Sequence, residues 1–302
     1  MLEVKNLKKS YGDIKALNGI SFLVEEGQVF GLLGPNGAGK TTTFNLIATL
    51  LKPDTGNILW EGKSIFENKT AWRKSMGFVP QHLAVYKELT AFENIMLMAS
   101  LYGLKGKEAK ERCIYLLEKI GLKERMNDKV NSFSGGMVRR LNLVMGLVHN
   151  PDIILLDEPT AGIDVQTKHK IYEFIRELTS KRKTVLYTTH LLKEAEELFD
   201  TVAIIDEGEI KAIGKVEDLV SKHAPSIILE LTLSDFDGKE ISISDLGQVK
   251  DNVLKTEIDS REKIAPVIEE LISRGIEVKS IKIKGASLET VFLNLTGKEL
   301  RD

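Results

Sequence analysis

The sequence predicts an α/β domain over residues 1–221, with an antiparallel β part and a helical insertion at about 82–150, followed by a small α+β domain over 222–302. Three observations carry this reading. From Leu2 to about Ala212, short β-branched runs alternate with amphipathic segments, the pattern of buried strands between helices. Between Leu89 and Asn150 the apolar spacing becomes three and four, which is helical. After the turn at Glu207-Gly208 and a short helix over Val216–His223, a new series of strands and helices begins.

Taken in order, Leu2–Val4 and Ala16–Val24 read as antiparallel strands beside the core. Buried strands are predicted at Gln28–Leu33, Gly77–Val79, Ile153–Asp157, Thr184–Thr188 and Val202–Asp206. The insertion contributes helices over Leu89–Tyr102, Lys107–Ile120 and Gly135–His149. In the second domain, strands are expected at Ile227–Leu233, Glu240–Ile243, near Val253–Ile258 and at Ile276–Lys284, with a turn at Asp235-Phe236-Asp237-Gly238. Helices over Glu262–Arg274 and Leu288–Leu295 complete it, with Ser260 and Ser287 placed as N-caps and Gly275 as a C-terminal stop.

Composition limits what such a chain can do. A length of 302 residues exceeds what one core usually organises, which favours two domains. With 42% hydrophobic and 28% charged residues, the chain is globular rather than disordered or membrane-embedded. The 42 basic and 44 acidic residues leave a net charge of -2, without the basic footprint of a nucleic-acid binder, so no nucleic-acid partner is expected. Cys113 stands alone, which excludes an intrachain disulfide and suits a reducing compartment; its setting, Glu-Arg-Cys-Ile-Tyr, reads as core packing. Apolar runs such as Val29–Leu33 and Ile153–Leu156 fall short of the roughly 18 to 20 residues that span a bilayer. Met1–Val4 enter a strand pattern directly, without a leader-like pattern. A cytoplasmic location is therefore expected, and any membrane role requires a partner. The charge clusters Lys105–Arg112 and Lys181–Lys183 read as solvated faces.

The first chemical motif follows the strand Gln28–Leu33. Gly34-Pro35-Asn36-Gly37-Ala38-Gly39-Lys40-Thr41-Thr42 precedes an apolar-periodic helix over Thr43–Leu50, which is the P-loop pattern in its required setting. Glycines let successive backbone N–H groups turn onto phosphate oxygens, and a helix N-terminus adds positive potential. Lys40 is placed to reach the β and γ phosphates of ATP, and Thr41 to offer its hydroxyl to Mg²⁺.

A second motif, Ile153-Ile154-Leu155-Leu156-Asp157-Glu158, is a buried strand ending in two carboxylates. Strand ends of this kind bring acids to the carboxyl edge of a parallel sheet, where ligands bind. Asp157 can hold the metal through water, and Glu158 can polarise an attacking water as general base.

Three further features set the family. Phe133-Ser134-Gly135-Gly136-Met137 opens a helix upstream of the acidic strand, Val79-Pro80-Gln81 closes another strand, and Thr188-Thr189-His190 ends the strand that follows. Together with the two motifs above, these resemble the ABC ATPases, a branch of the P-loop NTPases. The resemblance implies an ATP-sandwich dimer in which Ser134, Gly135 and Gly136 complete the site of the opposite subunit. It implies that Gln81 touches Mg²⁺ and water and reports to a membrane domain, and that His190 contacts the γ phosphate. Ala161-Gly162-Ile163-Asp164 matches the loop that crosses the dimer, and Tyr11 the aromatic on which adenine stacks.

The signature departs from the commonest form, Leu-Ser-Gly-Gly-Gln, at Phe133 and Met137. Ser-Gly-Gly-Met followed by Val138-Arg139-Arg140-Leu141 is similar to drug, lipid and sodium exporters of the ABC-2 type. The ending from Ala286 to Gly297 looks like the accessory domain of many such exporter ATPases. The resemblance thus implies a motor that drives a separately encoded integral membrane permease, with residues such as Leu83, Val85, Tyr86 and Phe92 available to line a docking groove. Its dimer is either two copies of this chain or one copy with a second ABC ATPase. The alternative is a soluble ABC ATPase acting on ribosomes or DNA, against which stands the lack of a second cassette or a long coiled coil.

Overall fold

The β-branched runs become strands of two sheets in the first of two compact units, Met1–Lys215 and Val216–Leu300. The computed structural model describes residues 1–223, 227–234, 245–258, 261–284 and 287–297. Strand β1 (Leu2–Tyr11) pairs antiparallel with β2 (Ile14–Val24). After β3 (Val29–Leu33) and α1 (Lys40–Ile47), β4 (Thr55–Trp60) and the short β5 (Lys63–Ser64) complete an antiparallel sheet of order β2-β1-β4-β5.

Helix α2 (Lys69–Ser75) leads into β6 (Met76–Val79). The helical stretch then supplies α3 (Ala91–Leu101), α4 (Gly106–Lys119) and α5 (Gly135–Met145). Two of them begin at a readable signal: Thr90 and Glu93 form a reciprocal capping box at α3, and Ser134 accepts from the Met137 N–H at α5, whereas no side chain caps α4. Cys113 is fully buried in α4, and burial pushes its thiol up to about 11, which makes it an inert core residue.

Strand β7 (Ile153–Asp157) is followed by α6 (Val165–Ser180), β8 (Thr184–Thr189), α7 (Leu192–Leu198), β9 (Thr201–Asp206) and β10 (Glu209–Gly214). The second sheet has the order β10-β9-β3-β8-β7-β6 and is parallel except at β10. Every residue of β3, β7 and β8 is buried, as a parallel sheet covered on both faces requires. Each buried aliphatic side chain of Ile153–Leu156 contributes roughly 1.5–3 kcal/mol. The register places Leu33 beside Thr189, Asp157 beside Thr188, and Val79 beside Leu156. Because β3, β6, β7 and β8 run the same way, the segments following all four emerge along one carboxyl edge.

In the second unit, α8 (Val216–His223) is followed by β11 (Ile227–Leu233), β12 (Gln248–Lys250), β13 (Val253–Ile258), α9 (Ile264–Ser273), β14 (Val278–Lys284) and α10 (Leu288–Thr296). The described strands form an antiparallel sheet of order β12-β13-β11-β14. Leu229, Leu231 and Leu233 alternate onto its buried face and meet Leu254, Leu271 and Ile276. Ser287 caps α10, and Gly275 stops the chain after α9 with φ 73°. The helix expected over Glu262–Arg274 begins as a 3-10 turn, Arg261–Lys263, before α9. Helix α8 groups with this unit, so the contacts divide the chain at Lys215. The expected turn at residues 235–238, the strand Glu240–Ile243 and the Ser260 cap lie outside the described residues.

Candidate active site

The loop between β3 and α1 is shaped by close backbone approaches. A Cβ at Gly34 would lie 2.2 Å from the Ile205 carbonyl oxygen on β9, so only glycine fits. Gly39 is the N-cap of α1 with φ 106°, a conformation that L side chains rarely adopt. Helix α1 therefore begins at Lys40, three residues earlier than the apolar period suggests. Lys40 and Thr41 thus stand in the first helical turn, where backbone N–H groups lack helical partners. No side chain caps this helix. Lys40 folds back to donate to the Gly34 oxygen at 2.7 Å and the Pro35 oxygen at 3.0 Å. Burial holds its ammonium below the usual lysine value, which Glu158 and Asp157 oppose.

The acidic pair at the end of β7 is organised from β8. Thr188 Oγ1 donates to Asp157 Oδ1 at 2.5 Å and accepts from the Glu158 N–H at 3.0 Å. Burial holds the Asp157 carboxyl above the usual carboxylate range, while hydrogen bonds from the Thr188 and Thr41 side chains oppose the rise. Glu158 adopts φ 46°, a left-handed conformation costing of order 1–3 kcal/mol outside glycine. That turn aims its side chain along the carboxyl edge.

Three residues from three other segments converge on the Glu158 carboxylate. Gln81, following β6, donates to Oε2 at 3.0 Å. His190, following β8, places Nδ1 3.1 Å from Oε1. Lys40 Nζ lies 3.5 Å from the same oxygen. An ionised carboxylate only accepts, so this contact is a hydrogen bond in the tautomer that carries its proton on Nδ1. The resulting cleft of about 350 Å³ is lined by Ala16, the loop residues Pro35–Gly37 and Gly39–Thr42, Gln81 and Glu158.

Not every residue expected at the site lies there. Gly34 and Ala38 shape the loop from beneath, with Ala38 buried. Tyr11 ends β1 half-exposed, with Lys9 Nζ 5.9 Å from its ring centre, and Ala16 of β2 lines the cleft instead. Ser134, Gly135 and Gly136 open α5 away from this lining, and a Cβ on either glycine would meet open space. Asp164 caps α6 by accepting from the Thr167 N–H at 3.0 Å; bonds from the Thr167 side chain and N–H hold its carboxyl below the usual range.

Thr188 and Arg139 carry roles that sequence reasoning assigned to neither. Arg139 on α5 donates to the Gln81 carbonyl at 2.9 Å, joining the helix opened by Ser134 to the loop that carries Gln81. The register of Thr188 beside Asp157 becomes visible only once β7 and β8 pair.

The ABC transporter family model matches residues 17–161. The linearmycin resistance ATP-binding protein LnrL of Bacillus subtilis is 42% identical over the full length of both chains. The protein belongs to the ABC transporter family. A Nod factor export ATP-binding protein I of Cupriavidus pinatubonensis is 36% identical over all of this chain and 92% of its own. A dimeric ATP-binding cassette, MJ0796, solved in a post-hydrolysis state with ADP and Pi, is 30% identical with a TM-score of 0.66; the match covers 71% of this chain and 98% of that one. The chain is thus an ABC ATPase, the ATP-binding subunit of a transporter, with the P-loop fold of its solved relatives. Among the described residues no helix is long and apolar enough to cross a membrane.

Proposed function

We propose that this ABC ATPase hydrolyses MgATP between two cassettes and powers export through a separate integral membrane permease. The convergence of Gln81, His190 and Lys40 on Glu158 carries the hydrolytic part. In this reading the N–H groups of the Gly34–Thr42 loop and Lys40 bind the phosphates, while Glu158 is the general base, oriented by Gln81 and His190.

The Thr41 hydroxyl, the buried Asp157 carboxylate and the Gln81 amide are oxygen donors of the kind magnesium selects, and the Thr41 and Asp157 side chains already hydrogen-bond. Magnesium bound with the nucleotide supplies charge neutralisation at the phosphate oxygens. Asp157, held by Thr188, keeps its carboxylate fixed for that purpose.

Ser134, Gly135 and Gly136 face the partner's cleft in this reading, supported by their absence from the lining of their own. Tyr11 stacks adenine, and Asp164 ends the loop that crosses the dimer. Leu83 and Tyr86, 42% and 55% exposed after Gln81, meet the permease with the half-buried Val85 and Phe92, and this contact holds the subunit at the cytoplasmic face of the membrane. The names of the relatives, which include an export protein and a resistance protein, favour export.

Two measurements test this. Glu158→Gln is expected to abolish turnover while ATP still drives dimerisation in size-exclusion chromatography; unchanged turnover would remove Glu158 as the base. Capture of the wild-type chain from detergent-solubilised membranes is expected to bring an integral protein of about six apolar spans, and recovery with ribosomes alone would overturn the transport assignment.

A further inference from the structure

Behind the cleft, Glu194 on α7 is only 3% exposed yet carries a carboxylate. A buried charge of this kind persists only with partners. Its Oε1 accepts from Thr160 Oγ1 at 2.5 Å and lies 3.3 Å from Lys168 Nζ of α6. Oε2 accepts from Thr189 Oγ1 at 2.7 Å and from Tyr187 Oη at 3.2 Å. Thr160 and Tyr187 are themselves 2.8 Å apart. Tyr172 of α6 hydrogen-bonds the Glu194 carboxylate as well, so one side chain gathers five groups from β8, α6 and the turn after β7.

Two of these partners are close in the chain to the hydrolytic residues. Thr160 lies two positions after Glu158, and Thr189 immediately precedes His190. The left-handed turn at Glu158 needs support on both sides. Thr188 holds its N–H, and the Ala161 N–H donates to its carbonyl oxygen at 3.3 Å. Beyond that point, the Thr160 hydroxyl is the next anchor. On the other strand, Thr189 Oγ1 also accepts from the Leu191 N–H at 3.0 Å, so the same hydroxyl fixes the backbone on both sides of His190.

We infer that Glu194 is a positioning residue for hydrolysis: by holding the hydroxyls of Thr160 and Thr189 together, it sets the spacing between Glu158 and His190. Through Lys168 it also ties that spacing to α6, the helix that Asp164 caps. The inference rests on the roles proposed above for Glu158 and His190, but it concerns residues outside the cleft.

Valine has the shape of threonine without its hydroxyl, so Thr160→Val and Thr189→Val remove single anchors. Steady-state ATPase assays on the full chain with MgATP are expected to show kcat down about ten- to a hundredfold, the scale of a small misplacement at a reacting centre, with KM within about twofold. Thr160→Ser and Thr189→Ser, which restore the hydroxyl, should return kcat to within about threefold of wild type. Glu194→Gln, which keeps the volume but loses an acceptor oxygen, should behave like the valine variants. Melting temperatures identify any variant that has lost its fold, and the serine variants then decide. The inference is overturned if the valine variants keep wild-type kcat while Glu158→Gln is inactive, or if the serine variants are as slow as the valine ones. An active Glu158→Gln would instead sink the assignment of the base.

Discussion

His190 Nδ1 lies 3.1 Å from Glu158 Oε1, although the two residues close different strands and are separated by 32 positions. The parallel pairing of β7 with β8 makes this contact possible, since Asp157 and Thr188 are direct neighbours. The histidine thus holds one oxygen of the carboxylate while Gln81 holds the other, leaving Glu158 with a fixed orientation.

His190→Ala removes that restraint without touching the P-loop. Turnover is expected to fall by about 10²-fold, the lower end of what general acid–base groups contribute, with nucleotide affinity little changed. Steady-state ATPase kinetics beside a nucleotide titration check this. A variant that lost binding and kept its maximal rate would contradict the role.

Lys40 approaches the same Glu158 oxygen from the P-loop side. Besides donating to two loop carbonyls, it is the charged donor proposed above for the ATP phosphates, and Lys40→Ala removes that donor. A hydrogen bond involving a charged group is worth about 1.5–3 kcal/mol. ATP affinity is therefore expected to drop by roughly ten- to a hundredfold, read by titration calorimetry.

A pH effect is expected far from the cleft. His149 stacks on Tyr102 with ring centres 3.6 Å apart, and its Nε2 faces the Met76 oxygen at 3.1 Å, while Nδ1 is buried without a partner. Burial holds the imidazole below its usual value of 6.5, so the folded state disfavours protonation. Its stability contribution is present above pH 6.5 and is lost as pH falls toward the lower folded value. Thermal melts should show wild type losing stability between pH 7.5 and 5.5 faster than His149→Phe, which retains the stack. Equal slopes would refute the assignment.

How much of this was legible in the sequence depends on where each signal resides. The buried strands announced themselves as short β-branched runs whose ends carried the motifs of Lys40, Asp157 and Glu158, while Gln81 and His190 were named from the family resemblance, all before their meeting was visible. The start of α1 was displaced because a left-handed Gly39 begins the helix before any apolar period does. Strand β4, with a mostly exposed or half-buried pattern, and the seven-residue α2 are too irregular or too short to show a period. Glu194 resembled any charged residue on an amphipathic helix; only pairing and packing bring it to Thr160, 34 positions away. The same holds for Ala16, whose place in the cleft depends on β2 passing beneath Gly39, where a Cβ would meet its carbonyl at 2.7 Å.

The loop that carries Gln81 is restrained from two helices, and this restraint is open to test. Asn142 on α5 is 3% exposed and accepts from the Ala84 N–H at 2.9 Å, while Arg139 on the same helix holds the Gln81 carbonyl. Asn94 on α3 accepts from the Tyr86 N–H at 2.8 Å and donates to the Tyr86 oxygen at 2.9 Å. The exposed Leu83 and Tyr86 are therefore presented on a loop pinned at Gln81, Ala84 and Tyr86. Replacing Asn142 by leucine keeps the volume but removes the acceptor of the Ala84 N–H, a hydrogen bond worth about 0.5–1.5 kcal/mol. Urea unfolding should register that loss. Hydrogen exchange should show the Ala84 amide losing protection while the Tyr86 amide, held from α3, keeps it. Equal loss at both amides would mean that the loop moves as one piece and that α5 does not hold it independently.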